Sequence, residues 1–303
     1  MRNLSIELCG VRLKNPLIAA SGTFGFGREY EKLYDIGLWG GISVKGLTNE
    51  PRAGNPPHRI AETASGMLNS VGLQNPGVDA FLRDELPRLA KHGLAVIANV
   101  AGSTAESYRE AVRKLSDSPV DIIELNISCP NVKQGGVQFG ICPEDAAALT
   151  EAVRQVCRKP LMAKLSPNVS DIAAIARAVT EAGADAVSLI NTITGMAIDA
   201  KTRKPVLANV TGGLSGPAIK PVALRMVWQA ARAISAPVIG MGGIMTGIDA
   251  AEFLIAGAVS VMVGTANIAD PFAGPRILRE LEDFMDGQSI GDVNALVGSL
   301  IID

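Results

Sequence analysis

Histidine is almost missing from this chain: in 303 residues only His58 and His92 occur. His58 follows Pro56-Pro57 in a loop, and His92 in Lys91-His92-Gly93 fits a helix end before a C′ glycine. A Ser-His-Asp triad or a histidine-based metal site therefore has no material to form from. Cysteine is also scarce. Cys9, Cys129, Cys142 and Cys157 make no C-x-x-C pair, and no partner stands at zinc or iron–sulfur spacing. Neither G-x-G-x-x-G nor G-x-x-x-x-G-K is present, so dinucleotide and P-loop fingerprints are absent. The longest apolar stretch, residues 253–263, is broken by Gly257 and Ser260 and is too short to cross a bilayer. No excess of positive charge exists either: 28 Lys and Arg stand against 30 Asp and Glu. That balance gives no field for nucleic acid or an anionic membrane. The N-terminus carries Arg2 and Glu7 within its first ten residues and lacks the apolar core of a signal peptide. The expectation is a cytoplasmic protein with neither a nucleic-acid nor a membrane partner.

What the chain does have is a rhythm. Short apolar runs recur, each ending on a polar residue or glycine. They are Leu17-Ile18-Ala19-Ala20 before Ser21, Ile42-Ser43-Val44 before Lys45, Leu94-Ala95-Val96-Ile97-Ala98 before Asn99, and residues 122–125 before Asn126. Leu161-Met162-Ala163 then precedes Lys164, residues 186–190 precede Asn191, Val238-Ile239 precedes a glycine-rich stretch, and residues 259–263 precede Gly264-Thr265. Runs apolar on both faces predict parallel strands covered by helices. Amphipathic helices fall between most of them. Ser103-Thr104-Ala105-Glu106 reads as a capping box, Pro143 as a first helical residue, and Ser170 as an N-cap. Further helices are expected over about residues 218–234 and 248–256.

Eight such units predict an α/β fold, a (β/α)8 TIM barrel forming a single domain over residues 1–303. A doubly wound sheet is the alternative, but it would usually carry the missing dinucleotide loop. In a barrel, all strand C-termini open on one face. Ser21, Lys45, Asn99, Asn126, Lys164, Asn191, Gly242 and Thr265 would then ring one pocket. Residues 46–93 and 192–216 make two units unusually long, and long loops over the active face are usually functional. Residues 4–8 and 11–13 around Cys9-Gly10 read as an N-terminal β-hairpin covering the barrel floor.

The ring also suggests a ligand. Gly242-Gly243 and Gly264-Thr265 end the seventh and eighth strands, where many barrels hold phosphate on backbone N–H groups. Asparagine amides at 99, 126 and 191 both donate and accept, which suits a flat heteroaromatic ring. A lysine near such a ring can stabilise a developing anion. FMN supplies phosphate and ring together. The competing reading makes Lys45 or Lys164 a Schiff-base lysine of an aldolase-like barrel. That reading gives no work to the cysteine in Asn126-Ile127-Ser128-Cys129-Pro130-Asn131, held just past a strand end between two amides.

This last string, extended by Val132-Lys133, Gly135-Gly136 and Phe139-Gly140, closely resembles the class 1 dihydroorotate dehydrogenases, most of all the NAD-linked 1B catalytic subunit. The resemblance runs almost end to end. It includes Ala20-Ser21-Gly22-Thr23-Phe24-Gly25, Val44-Lys45-Gly46-Leu47-Thr48, Asn69-Ser70-Val71-Gly72-Leu73-Gln74-Asn75-Pro76-Gly77, Asn191-Thr192, Gly212-Gly213-Leu214-Ser215-Gly216 and Gly242-Gly243-Ile244. It implies one FMN per chain, held by Ser21, Lys45, Gly46, Asn99, Asn126, Lys164, Ile190, Gly216, Gly242, Gly243, Gly264 and Thr265. It implies that dihydroorotate is held by Lys45, Asn69, Ser70, Val71, Gly72, Leu73, Asn126, Asn131, Asn191 and Thr192. It gives Cys129 the role of catalytic base, with Lys45 beside it, and makes residues 132–142 a lid. Membrane-bound class 2 enzymes match poorly, because they use a serine base and an N-terminal quinone-binding extension. The 1B resemblance further implies a homodimer of this chain inside a heterotetramer, with FAD and a 2Fe–2S cluster on the partner subunit and NAD+ as final acceptor. A 1A-type enzyme passing electrons to fumarate, and a non-enzymatic phosphate-ligand-binding barrel, are the alternatives.

Overall fold

The computed structural model describes residues 2–128 and 139–302. Its centre is a closed parallel barrel of eight strands. In chain order these are Leu17–Ala19, Gly41–Ser43, Ala95–Val100, Ile122–Asn126, Leu161–Lys164, Ala186–Leu189, Val238–Met241 and Ser260–Val263. Each pairs with its sequence neighbour, and the last closes on the first through Val261↔Leu17 and Val263↔Ala19. Every residue of all eight is buried, because one face fills the barrel and the other meets the helices. Closure rules out the doubly wound alternative.

The outer layer contains Ala105–Ser116, Pro143–Arg154, Ile172–Glu181, Lys220–Ala233, Gly247–Ile255 and Ala273–Gly287. Pro143 is a first helical residue, as expected. Two caps sit one residue later than the sequence suggests. Thr104, not Ser103, accepts from the Ser107 N–H and closes a capping box with it, and Asp171, not Ser170, accepts from the Ala174 N–H. In both cases the neighbouring residue has the same capping chemistry, so backbone direction decides. The helix expected from residue 218 begins with a short 3-10 turn, Pro217–Ile219, before its regular part.

The helix Gly247–Ile255 carries a second capping box, between Thr246 and Asp249. Asp249 Oδ2 accepts from the Met245 and Thr246 N–H groups, and its other oxygen accepts from Lys220 Nζ at 2.5 Å. Burial pushes the Asp249 carboxyl up. The Lys220 bond and the two backbone N–H groups outweigh that and hold it below its usual range. Asp249→Ala should therefore cost about 1–2 kcal/mol, seen as a lower urea midpoint at pH 7. A carboxylate depressed in the folded state contributes above its unfolded pKa and stops contributing as pH falls through its folded value. The gap between wild type and variant should accordingly close in acid.

Ile6–Leu8 and Val11–Leu13 form the expected hairpin around Cys9 and Gly10. Leu8 and Leu13 are fully buried, and Cys9 Sγ lies 3.5 Å from the Asp185 carbonyl, just before the sixth strand. The hairpin thus closes the N-terminal end of the barrel. At the other end, the two long loops form one structure. Ile60–Thr63 and Gly66–Asn69 from the first join Thr211–Ser215 and Ile193–Met196 from the second in a four-stranded antiparallel sheet. The contact between loops is Gly213↔Asn69, Leu214↔Leu68 and Ser215↔Met67. Glycine is required at 213, because an added Cβ would lie 1.9 Å from Thr192 Oγ1.

Candidate active site

The strand C-termini and this antiparallel sheet enclose a cavity. Into it come Ser21, Lys45, Gly46, Asn99, Asn126, Lys164, Ile190, Gly216, Gly242, Gly243, Gly264 and Thr265, the whole set that the resemblance gives to FMN. The same cavity is lined by Asn69, Val71, Gly72, Leu73, Asn191 and Thr192. Ser70 is fully buried beside it, where its hydroxyl and carbonyl accept from Asn55 Nδ2, and it does not line the cavity. Cys129 and Asn131 lie outside the described residues, as does the 132–138 part of the expected lid.

The cavity has two chemically different ends. One is made of backbone. Gly242 and Gly243 follow the seventh strand, and Gly243 has a φ of 82°. A Cβ there would come within 2.9 Å of the Gly216 carbonyl and the Lys220 N. Only glycine lets the 216 and 243 backbones approach so closely. Thr265 Oγ1 donates to Ser215 Oγ at 2.9 Å, tying the eighth strand end to the antiparallel sheet. Glycine backbone and two hydroxyls line this end, a type of surface that fits phosphate.

The other end is built from side chains on successive strands. Lys164 is only 5% exposed, and its ammonium donates to Ser21 Oγ at 3.3 Å. Burying an ammonium is costly unless acceptors meet it, so Lys164 suits the electron-rich edge of a bound ring. Lys45 also lines the cavity, its ammonium 3.8 Å from where a Cβ on Gly22 would stand. Gly46 leaves a flat floor, since a side chain there would meet Asn99 Oδ1 at 2.9 Å. Asn126 Nδ2 donates to Asn99 Oδ1 at 3.3 Å, and Asn126 Oδ1 accepts from Ser128 Oγ at 2.7 Å. Asn191 Nδ2 donates to Ser128 Oγ at 2.6 Å. Buried Tyr108 fixes the Asn126 carbonyl with its hydroxyl at 2.8 Å. A phosphate-type surface at one end and a flat, mixed donor–acceptor surface at the other fit a phosphorylated flat heteroaromatic such as FMN.

Among the described residues, no group of His, Cys, Asp and Glu could hold a metal ion, and no helix is long and apolar enough to cross a membrane. The described cysteines are poor nucleophiles. Burial, then Asp185, pushes Cys9 up to about 11. Burial likewise raises Cys157, which is buried just past the helix Pro143–Arg154. At Cys142 a backbone hydrogen bond from Asp145 lowers the pKa, but the Asp145 carboxylate and burial together raise it.

Sequence reasoning missed much of the wall. Ile60, Met67, Ser215, Met241, Met262 and Ile268 also line the cavity. Apart from Ser215, which the glycine-rich motif contains, none carries a chemical signature, and the first three reach the site through pairing of the two long loops.

Comparison with known proteins agrees with this architecture. Residues 3–285 match the family model described as dihydroorotate dehydrogenase. A protein of Alkaliphilus oremlandii named dihydroorotate dehydrogenase B (NAD(+)), catalytic subunit, is 56% identical over 299 residues, covering 99% of each chain. Proteins of the same name from Geobacillus kaustophilus and Thermoanaerobacter pseudethanolicus are each 54% identical. The first covers 98% of this chain and 96% of its own, the second 99% and 100%.

Proposed function

Because the chain belongs to the dihydroorotate dehydrogenase family, we propose that it is the catalytic subunit of an NAD+-linked dihydroorotate dehydrogenase. Its reaction is the oxidation of (S)-dihydroorotate to orotate in pyrimidine biosynthesis. The observation that carries this reading is the single cavity in which a phosphate-type backbone end meets two lysines and an asparagine chain. The direct test is anaerobic. Dihydroorotate added to the FMN-loaded chain should bleach the flavin in one turnover; a spectrum that does not change would sink the reading.

FMN would be held at its phosphate by the Gly216, Gly242, Gly243, Gly264 and Thr265 region, and at its ring by Ser21, Lys45, Gly46, Asn99, Asn126, Lys164 and Ile190. When bound, FMN supplies the acceptor, N5, for the hydride leaving C6 of the substrate. The remaining work falls to the chain. Asn69, Asn126, Asn131, Asn191 and Thr192 hold the pyrimidine in plane, with backbone from residues 70–73 closing one side. Cys129, as thiolate, takes the C5 proton. That proton is alpha to a carbonyl, so its removal builds enolate charge that fixed donors stabilise. Lys45 pairs with the substrate carboxylate and favours the thiolate of Cys129 by its charge.

A labelling experiment separates Cys129 from the other thiols. Thiolate, not thiol, reacts with alkylating agents, and Cys9, Cys142 and Cys157 are all held above their usual pKa. Brief iodoacetamide treatment near neutral pH should label Cys129 first, and saturating orotate should protect it. Peptide mass spectrometry that finds Cys142 labelled ahead of Cys129 would argue against an activated base.

The reduced enzyme must pass its electrons on. We assign that step to a partner subunit carrying FAD and a 2Fe–2S cluster, in a cytoplasmic heterotetramer built on a dimer of this chain. The expected behaviour is NAD+ reduction only when the partner is added. Robust fumarate reduction by the isolated chain would instead indicate a fumarate-linked enzyme.

A further inference from the structure

The mechanism above gives no role to the most deeply buried acid in the barrel. Glu124, on the fourth strand, is fully buried. Its carboxylate accepts three hydrogen bonds from neutral partners on three other strands. Ser43 Oγ and Asn99 Nδ2 donate to Oε2 at 2.6 and 2.5 Å, and Ser188 Oγ donates to Oε1 at 2.6 Å. Such an arrangement is costly to build, since a buried carboxylate needs its acceptors filled. Packing alone would be served as well by an apolar side chain, so the acid calls for another reason.

That reason is direction. A carboxylate only accepts, so Asn99 must turn its NH2 toward Glu124 and its Oδ1 away. Asn99 Oδ1 then accepts from Asn126 Nδ2, Asn126 Oδ1 accepts from Ser128 Oγ, and Ser128 Oγ accepts from Asn191 Nδ2. Asn191 Oδ1 finally accepts from the Thr192 N–H at 2.8 Å. All the links run one way, from Thr192 down to Glu124. Backbone groups orient two of the amides: the Ser128 N–H reaches Asn126 Oδ1 at 3.3 Å, and Asn191 is held between the Thr192 N–H and the Ser128 carbonyl. Glu124 does the same for Asn99, turning its NH2 inward and its oxygen toward Asn126. Asn99, Asn126, Asn191 and Thr192 line the cavity, so these orientations decide where the pocket shows N–H and where it shows oxygen.

We propose that Glu124 is a positioning residue whose buried carboxylate sets the orientation of Asn99, so that the Asn99 oxygen holds the Asn126 amide in the pose that meets the pyrimidine. The proposal rests on the dihydroorotate reading of the site. It is tested by the affinity of orotate for the FMN-loaded chain, measured by calorimetry. Three variants differ only in where an amide N–H can point. Glu124→Gln keeps one acceptor oxygen for Asn99 if its NH2 faces Ser188, whose hydroxyl can turn to accept. Ser188→Ala leaves the carboxylate in place. Each single change should lower orotate affinity by only about threefold. In the double variant, the new NH2 has no acceptor at 188 and turns toward Asn99. Asn99 must then turn its oxygen to meet it, which sets its NH2 against that of Asn126 and breaks the link between them. Orotate affinity should fall by about thirtyfold or more, well beyond the product of the single effects.

A merely structural Glu124 would lower stability and leave orotate affinity in place, so a folded, FMN-loaded double variant that binds orotate within about threefold of wild type overturns the proposal. Glu124→Met, which offers Asn99 no comparable acceptor, gives a second route that does not depend on the double variant folding. It should also weaken orotate by about tenfold or more while FMN stays bound. Wild-type affinity in that variant would overturn the proposal. Failure of wild type itself to bind orotate would instead remove the dihydroorotate reading, and this inference with it.

Discussion

Cys129→Ser should leave a yellow protein that binds FMN but reduces it with dihydroorotate about 10²–10⁴ times more slowly. Serine matches cysteine in shape, so the pocket is preserved. Its hydroxyl is far harder to ionise near neutrality, so the C5 proton loses its acceptor. A free thiol has a pKa of about 8.5, and a nearby cation lowers it. In wild type, the reductive rate should therefore rise with pH until the thiol is fully ionised and then level off. The serine variant should show no such limb in the same range. Single-turnover stopped-flow at several pH values measures both effects. A variant that reduces its flavin at the wild-type rate would remove Cys129 from the role of base.

Lys164→Ala tests the other pole of the site. This ammonium is 5% exposed and bonded to Ser21 Oγ, on the wall that the flavin ring would face. A hydrogen bond from a charged group contributes about 1.5–3 kcal/mol, so FMN affinity should fall by about 10–150-fold. The purified variant should emerge pale and regain colour only with excess FMN. Lys164→Arg should restore little, because a planar guanidinium cannot replace a point charge in a packed slot. The same variant judges the Schiff-base alternative. If flavin content is normal while borohydride trapping of a carbonyl substrate disappears, Lys164 is a covalent lysine and the flavin reading of this wall fails.

The barrel was legible because its signal is periodic. Eight apolar runs ending in polar residues mark eight strands covered on both sides, and their ends come together as expected. The antiparallel sheet above it was not legible. Its central strands read Thr-Gly-Gly-Leu-Ser and Gly-Met-Leu-Asn, with neither the length nor the alternation that marks a strand. They become strands by pairing with each other, a relation between residues far apart that local pattern cannot carry. Glu124 was hidden differently. Within Ile122–Asn126 it reads as one polar residue in an apolar run, and its partners Ser43 and Ser188 lie 81 and 64 positions away. The cap shifts to Thr104 and Asp171 show the limit at close range, where adjacent residues offer the same chemistry. Cys129 and Asn131 drew notice through sequence context and family resemblance, and both lie outside the described residues.

The pairing of Gly66–Asn69 with Thr211–Ser215 also imposes an order in time. A chain emerging from the ribosome folds its early segments first, but the strand at 66–69 has no inner neighbour until residue 215 has been made. The substrate side of the pocket is thus completed only after six of the eight barrel strands exist. A fragment that stops before residue 211 contains Lys45, Asn69, Asn126, Asn191 and Thr192 but lacks the strand that holds residues 66–69 over the barrel. Stabilisation by bound ligand during synthesis would therefore be expected only for chains that have passed residue 215.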